Sequence, residues 1–241
     1  MLNGSPTKIS ARDGNALCER HKVELIPGLR HCPECEVEMM HAAQDLQARR
    51  AEEDYRHKQP IAGVPPRFVG ACLDKFIAET DAQRAVLGTL KQFAESSGTD
   101  PRNLILAGTL GTGKTFAGFA LVNALLRAGR SAVFTTALGL VRSVRDTWNS
   151  SHEREAMIVK RFTSAGLLVI DEIGVQSGSP SERAILADVI NTRYENLKPT
   201  VVIGNLTKEE FLSILGERAL DRLKDNGRTL IFDWENRRGK T

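Results

Sequence analysis

The octapeptide Gly108-Thr-Leu-Gly-Thr-Gly-Lys114-Thr115 fits G-x-x-x-x-G-K-[ST], and it stands between the apolar run NLILAG and the helical pattern FAGFALVNALLRAG. A phosphate grip needs that placement. Gly108, Gly111 and Gly113 free the backbone for amides to wrap phosphate oxygens, Thr112 and Phe116 complete the loop and the first helical turn, and the helix N-terminus adds partial positive charge. Lys114 is expected to reach the β- and γ-phosphates of a nucleoside triphosphate, and the Thr115 hydroxyl to ligate magnesium. A second constellation is LLVIDEIG, an apolar strand ending in Asp171 and Glu172. Asp171 suits the magnesium shell and Glu172 suits the orientation and deprotonation of an attacking water, a pairing that favours hydrolysis over binding alone. TVVIGN ends in Asn205, whose amide could sense the γ-phosphate or could be an ordinary turn residue before LTKEE. Arg218 and Arg222 fall four apart on one helix face of GERALDRLKDNGR. A solvated face would account for them, as would completion of a neighbouring subunit's site in trans.

Three of the four cysteines crowd into the first 35 residues, as Cys18-x-x-His21 and Cys32-x-x-Cys35. Two chelating pairs joined by a short loop are the pattern of a closed, tetrahedral, structural zinc site. His31, beside Cys32, leaves open which imidazole binds. Cys72, isolated in VGACLDKF, reads as a buried small hydrophobe.

These groups need elements to hold them. The runs NLILAG, SAVFTT, GLLVIDE, TVVIGN and RTLIFDW have strand length and alternate with amphipathic segments. Strands apolar on both faces and separated by helices predict an α/β fold with a central parallel sheet covered on each side. Before them, EMMHAAQDLQARRAEEDYRHKQ reads as a charged helix that stops at the Pro- and Gly-rich PIAGVPPRF. The chain of 241 residues therefore divides into a small zinc-binding module over 1–40, the charged helix and linker over 41–66, and the nucleotide-binding domain over 67–241. With 41% hydrophobic and 26% charged residues the composition is globular, and the net charge of +3 permits a nucleic-acid partner without requiring one. No secretory leader or bilayer-length apolar stretch stands out, so a cytoplasmic protein without a membrane partner is expected.

Taken together, CERH with CPEC, AGVPPRF, GTLGTGKT, LLVIDEIGVQ, VINTRYENLKPTVVIGNL, GERALDRL and IFDWENRR resemble the DnaC-type replicative helicase loaders, a branch of the AAA+ ATPases with phage and prophage members. The resemblance covers nearly the whole chain. It implies a sheet with the phosphate-loop strand central, ATP-dependent self-assembly, and two partners, the hexameric replicative helicase and single-stranded DNA. It makes Lys114 and Thr115 the Walker A pair, Asp171 and Glu172 the Walker B pair, Asn205 sensor 1, Arg222 the arginine finger and Arg238 the sensor 2 residue. It also turns the helices after the second strand toward DNA, where LVRSVRDTWNSS offers Arg145 and Trp148 and the later loop QSGSPSER offers Ser179. A cation and a flat aromatic three residues apart can meet a phosphate and stack on a base, although a core tryptophan would fit Trp148 as well. The IstB-type transposition ATPases share the core and are the alternative reading; the CxxH and CPxC pairs and DEIGVQ favour the loaders.

Overall fold

The computed structural model describes residues 9–12, 15–23, 25, 32–96, 102–148, 151–175 and 178–236. By internal contacts the chain forms two compact units, Met1–Asp54 and Tyr55–Thr241.

In the first unit, strands β1 (Ile9–Arg12) and β2 (Asn15–Cys18) pair antiparallel, and helix α1 (Pro33–Ile61) follows. The exposed face of α1 between Val37 and Asp54 is dominated by charges and helix formers, as its sequence predicts. Its last turns belong to the second unit, where Tyr55 and Gln59 are buried.

All five apolar runs are strands of one parallel sheet in the second unit. They are β3 (Asn103–Gly108), β4 (Ala132–Thr136), β5 (Leu167–Ile173), β6 (Thr200–Gly204) and β7 (Gly227–Phe232), in the order β4-β5-β6-β3-β7. The phosphate-loop strand β3 is interior but not the central strand: it lies one in from the β7 edge, and β6, the middle strand, separates it from the carboxylate strand β5. Strand side chains alternate between two cores: Leu104, Leu106, Val169, Val201 and Ile203 enter one, and Ile105, Leu168, Ile170 and Val202 enter the other. The first core is closed by α2 (Asp81–Ser96) and α3 (Lys114–Arg127). The second is closed by α4 (Ala137–Arg145), α5 (His152–Ser164), α6 (Pro180–Glu195), α7 (Lys208–Leu215) and α8 (Glu217–Asp225). Each fully buried Val, Leu or Ile contributes about 1.5–3 kcal/mol, so the sheet is a stiff platform for the loops at its carboxyl edge.

Two further readings change. The linker PIAGVPPRF is fastened to the second unit: the Ile61 carbonyl accepts from Arg161 at 2.9 Å, the Ala62 carbonyl from the Phe134 amide at 2.7 Å and the Phe68 carbonyl from the Asn123 amide of α3 at 2.9 Å. Cys72 is half-buried and not a core residue, because the chain there is extended and its neighbours Ala71 and Leu73 are the side chains that turn inward.

Candidate functional site

The phosphate loop joins the end of β3 to the start of α3, and its backbone is shaped by what lies behind it. Gly108 has φ +137°, and a Cβ there would come within 2.1 Å of the Phe232 carbonyl oxygen, so no other residue fits. Gly113, left-handed at φ +97°, is the N-cap of α3 and provides no side chain to cap it, which leaves first-turn amides for an anion. Lys114 is buried, and its ammonium donates to the carbonyls of Gly108 (2.8 Å) and Thr109.

An open cleft of about 1010 Å³ lies over this loop, and it gathers Gly111, Thr112, Gly113, Lys114, Thr115 and Phe116 with Asp171, Glu172 and Asn205. The two residues expected to hold magnesium touch: the Thr115 hydroxyl donates to Asp171 Oδ2 at 2.7 Å, and Asp171 Oδ1 accepts from the Glu172 amide at 2.7 Å. Asp171 is only 5% exposed, and burial raises its pKa; the Thr115 and Glu172 hydrogen bonds and the nearby Lys114 charge pull it back. A buried carboxylate beside a hydroxyl is a hard-oxygen donor set that fits Mg²⁺, whose charge would offset the burial.

Asp171 and Glu172 are consecutive in a strand, where side chains should point to opposite faces. A bulge resolves this. The β5–β6 register shifts between Ile170 and Ile173, and Glu172 takes φ +57°, so Asp171 stays buried while Glu172 is exposed on the cleft wall. Bulges re-aim side chains in this way next to active sites. Asn205 follows β6, the strand between the loop and the carboxylates, and is exposed on the same cleft. Sequence reasoning missed Arg67 and Phe68, which also line it. Phe68 stacks on Phe119 of α3 at 4.3 Å, and the Pro65-Pro66 pair ahead of them, which favours a fixed turn over a loose linker, was the available signal.

The three candidate DNA contacts cluster apart from the residues that line the cleft. Arg145 lies 5.9 Å over the Trp148 ring, 3.1 Å from Ser179 Oγ and 3.2 Å from Glu182 Oε1. Trp148 is 54% exposed, which excludes the core alternative. Ser179 also closes a capping box with Glu182 at the start of α6, an S-x-x-E signal legible in SPSE. Arg222 is largely enclosed, 3.2 Å from Glu195 Oε1 and 5.2 Å over the Tyr194 ring, whereas Arg218 one turn earlier is exposed. Arg238 lies outside the described residues.

With this geometry in hand, the relatives are informative. The family described as IstB-like ATP binding protein matches residues 36–233. The replicative helicase loader DnaC of Escherichia coli K12 is 30% identical over 180 residues, 74% of each chain. The chain belongs to the IstB-like ATP-binding family and to the DnaC-type helicase loaders. The DnaC of Buchnera aphidicola from Acyrthosiphon pisum is 31% identical over 179 residues, 73% of each chain. A crystal structure of the DnaC helicase loader superposes with a TM-score of 0.63 at 22% identity, covering 70% of this chain and all of that one, which shows the AAA+ fold that the sheet order describes.

The cysteine cluster of this DnaC-type chain precedes the family match. The Sγ atoms of Cys18, Cys32 and Cys35 lie 3.7, 3.6 and 3.3 Å from His21 Nδ1, and Cys18 Sγ lies 3.7 Å from Cys35 Sγ. The edge of a tetrahedron with a Zn–S bond of about 2.3 Å is about 3.8 Å, so the four donors fit zinc. His21 joins the cluster; His31 lies outside the described residues. On its far side His21 Nε2 meets Glu38 Oε1 at 3.2 Å, the carboxylate partner that orients a ligating imidazole. Glu38 chiefly, then Cys18, raises His21 to about 9, a proton that zinc would have to displace, and the His21 backbone amide chiefly lowers Cys18 to about 6, which favours the thiolate a metal needs. Among the described residues, no helix is long and apolar enough to cross a membrane.

Proposed function

We propose that the protein is an ATP-hydrolysing loader that binds the hexameric replicative helicase and delivers it to single-stranded DNA, assembling with copies of itself as it does so. The observation that carries this reading is the kinship with DnaC over three quarters of the chain, together with a cleft in which Lys114, Thr115, Asp171, Glu172 and Asn205 converge. Lys114 neutralises phosphate charge, the loop amides orient the triphosphate, and Thr115 with Asp171 would hold magnesium. Glu172 accepts a proton from the attacking water, and Asn205 positions that water or the γ-phosphate. Arg222 contributes to a neighbouring subunit's site once it gives up Glu195, with the exposed Arg218 beside it. Arg238 contributes to the phosphate end of the subunit's own site.

Arg145, Trp148 and Ser179 form the DNA contact, supported by the exposed indole. Cys18, His21, Cys32 and Cys35 would hold one structural zinc, and the module they close, with the charged helix, binds the helicase. The proposed boundaries stay at 1–40, 41–66 and 67–241. Co-purification with the replicative helicase of the same cell is the direct test: a stable complex that transfers helicase to single-stranded DNA is expected. Capture of a transposase as the sole partner would favour the transposition role of IstB-type relatives.

A further inference from the structure

The phosphate loop rests on the segment that follows β7. The Trp234 indole N–H donates to the Thr112 carbonyl at 2.9 Å across 122 residues of sequence. Two residues earlier, the Phe232 carbonyl accepts from the Thr109 amide at 3.2 Å. Two residues later, Asn236 lies so close to Gly111 (φ +77°) that a Cβ there would come within 1.8 Å of its Oδ1. Residues 232, 234 and 236, the end of β7 and the bend after it, thus meet Thr109, Thr112 and Gly111. The indole itself is fixed by Phe232, with centroids 4.8 Å apart, and by the edge of Phe76 at 6.4 Å, whose ring also lies against Gly113.

We propose that Trp234 is a positioning residue for nucleotide binding: by holding the Thr112 carbonyl it aims the Gly113 amide at the phosphates. The inference rests on the nucleotide reading of the cleft. No peptide bond among the described residues is cis. In a planar trans peptide the carbonyl and the next N–H point in opposite directions. Tying the Thr112 oxygen back to Trp234, which is not part of the cleft lining, turns the Gly113 N–H away from the indole, on a residue that does line the cleft. An amide aimed before the ligand arrives loses no affinity to reorientation. The coupling also runs outward: phosphate drawn to the Gly113 amide alters the peptide on which the indole rests.

The full chain has two tryptophans, so Trp148→Phe leaves Trp234 as the sole indole. Titrating that variant with Mg-ATP is expected to give a saturable change in tryptophan emission. Trp234→Phe, which keeps an aromatic ring and removes the N–H, is expected to weaken ATP binding about tenfold, in line with loss of one positioned hydrogen bond. Its melting temperature without nucleotide should stay within about 2 °C of the parent. Trp234→Phe binding ATP as tightly as the parent overturns the proposal while the nucleotide site stands. A parent chain that binds no ATP overturns both. If Trp234→Phe fails to fold, the emission titration decides alone, and an unchanged spectrum at saturation overturns the proposal.

Discussion

Glu172 and Lys114 face one cleft from different elements, the end of β5 and the start of α3, and their surroundings separate their tasks: Lys114 is buried against loop carbonyls, and Glu172 is exposed at the crest of a bulge. Lys114→Ala is therefore expected to lose nucleotide affinity, and Glu172→Gln to keep it while losing turnover by at least about a hundredfold, the usual scale of general-base loss. Binding of a fluorescent ADP analogue and phosphate release, measured on both variants, separate the two; equal loss of binding would remove Glu172 from the water-activating role. Trp148 is a similarly sharp case. With its ring more than half exposed, Trp148→Ala should weaken single-stranded DNA binding by about 1–3 kcal/mol without lowering thermal stability. A drop in melting temperature at constant DNA affinity would show that the ring packs instead. Glu172 and Lys114 were legible in the sequence, because one ends an apolar run and the other closes the glycine pattern that follows one. The φ of Glu172 was not, since a bulge depends on how β5 pairs with β6, and pairing is not a local property.

The elements themselves read well for a clear reason: residues buried on both faces leave an unbroken apolar signature in β3, β5 and β6. What stayed hidden were polar residues that join elements distant in sequence. Arg193 is the strongest example. It is wholly buried in α6, and its guanidinium donates to the carbonyls of Phe162 (2.7 Å), Ala165 (2.8 Å) and Pro199 (2.6 Å) and to Thr200 Oγ1 (3.0 Å). It satisfies the carboxyl end of α5 and the entry to β6 at once. Burial pulls its pKa down to about 9, so it keeps its charge at neutral pH. Arg193→Met should cost about 3 kcal/mol or more, since each buried carbonyl left without a donor costs about 1–3 kcal/mol. Denaturant melts would register this; a change below about 1 kcal/mol would mean that the carbonyls find other donors. In sequence Arg193 is one more charge in VINTRYENLK, and nothing local marks it as buried.

For the whole molecule, the metal cluster and the ATPase core answer to different forces. Among the described residues, the first unit has a four-residue buried cluster of Cys18, Leu25, Cys32 and Cys35, and these alone are too small a core to fold by burial. Zinc should supply the rest, and apparent folding contributions of structural zinc are about 10–16 kcal/mol. Elemental analysis of protein purified without chelator should find one zinc per chain. Cys32→Ser with Cys35→Ser should lose zinc and helicase binding while ATP binding at Lys114 is kept. Zinc-free parent protein that still holds the helicase would refute the metal's role. The sheet order carries a different consequence, for synthesis. Strand β3 pairs with β6 and β7 and with no strand made before it, so its partners arrive only when residues 200–204 and 227–232 have been translated. At about 5–20 residues per second, the apolar stretch Asn103–Gly108 waits many seconds on the ribosome without a neighbour. The strand that builds the ATP site is thus an aggregation hazard in the nascent chain, and β7, the later of its two partners to be translated, is the one that completes its pairing.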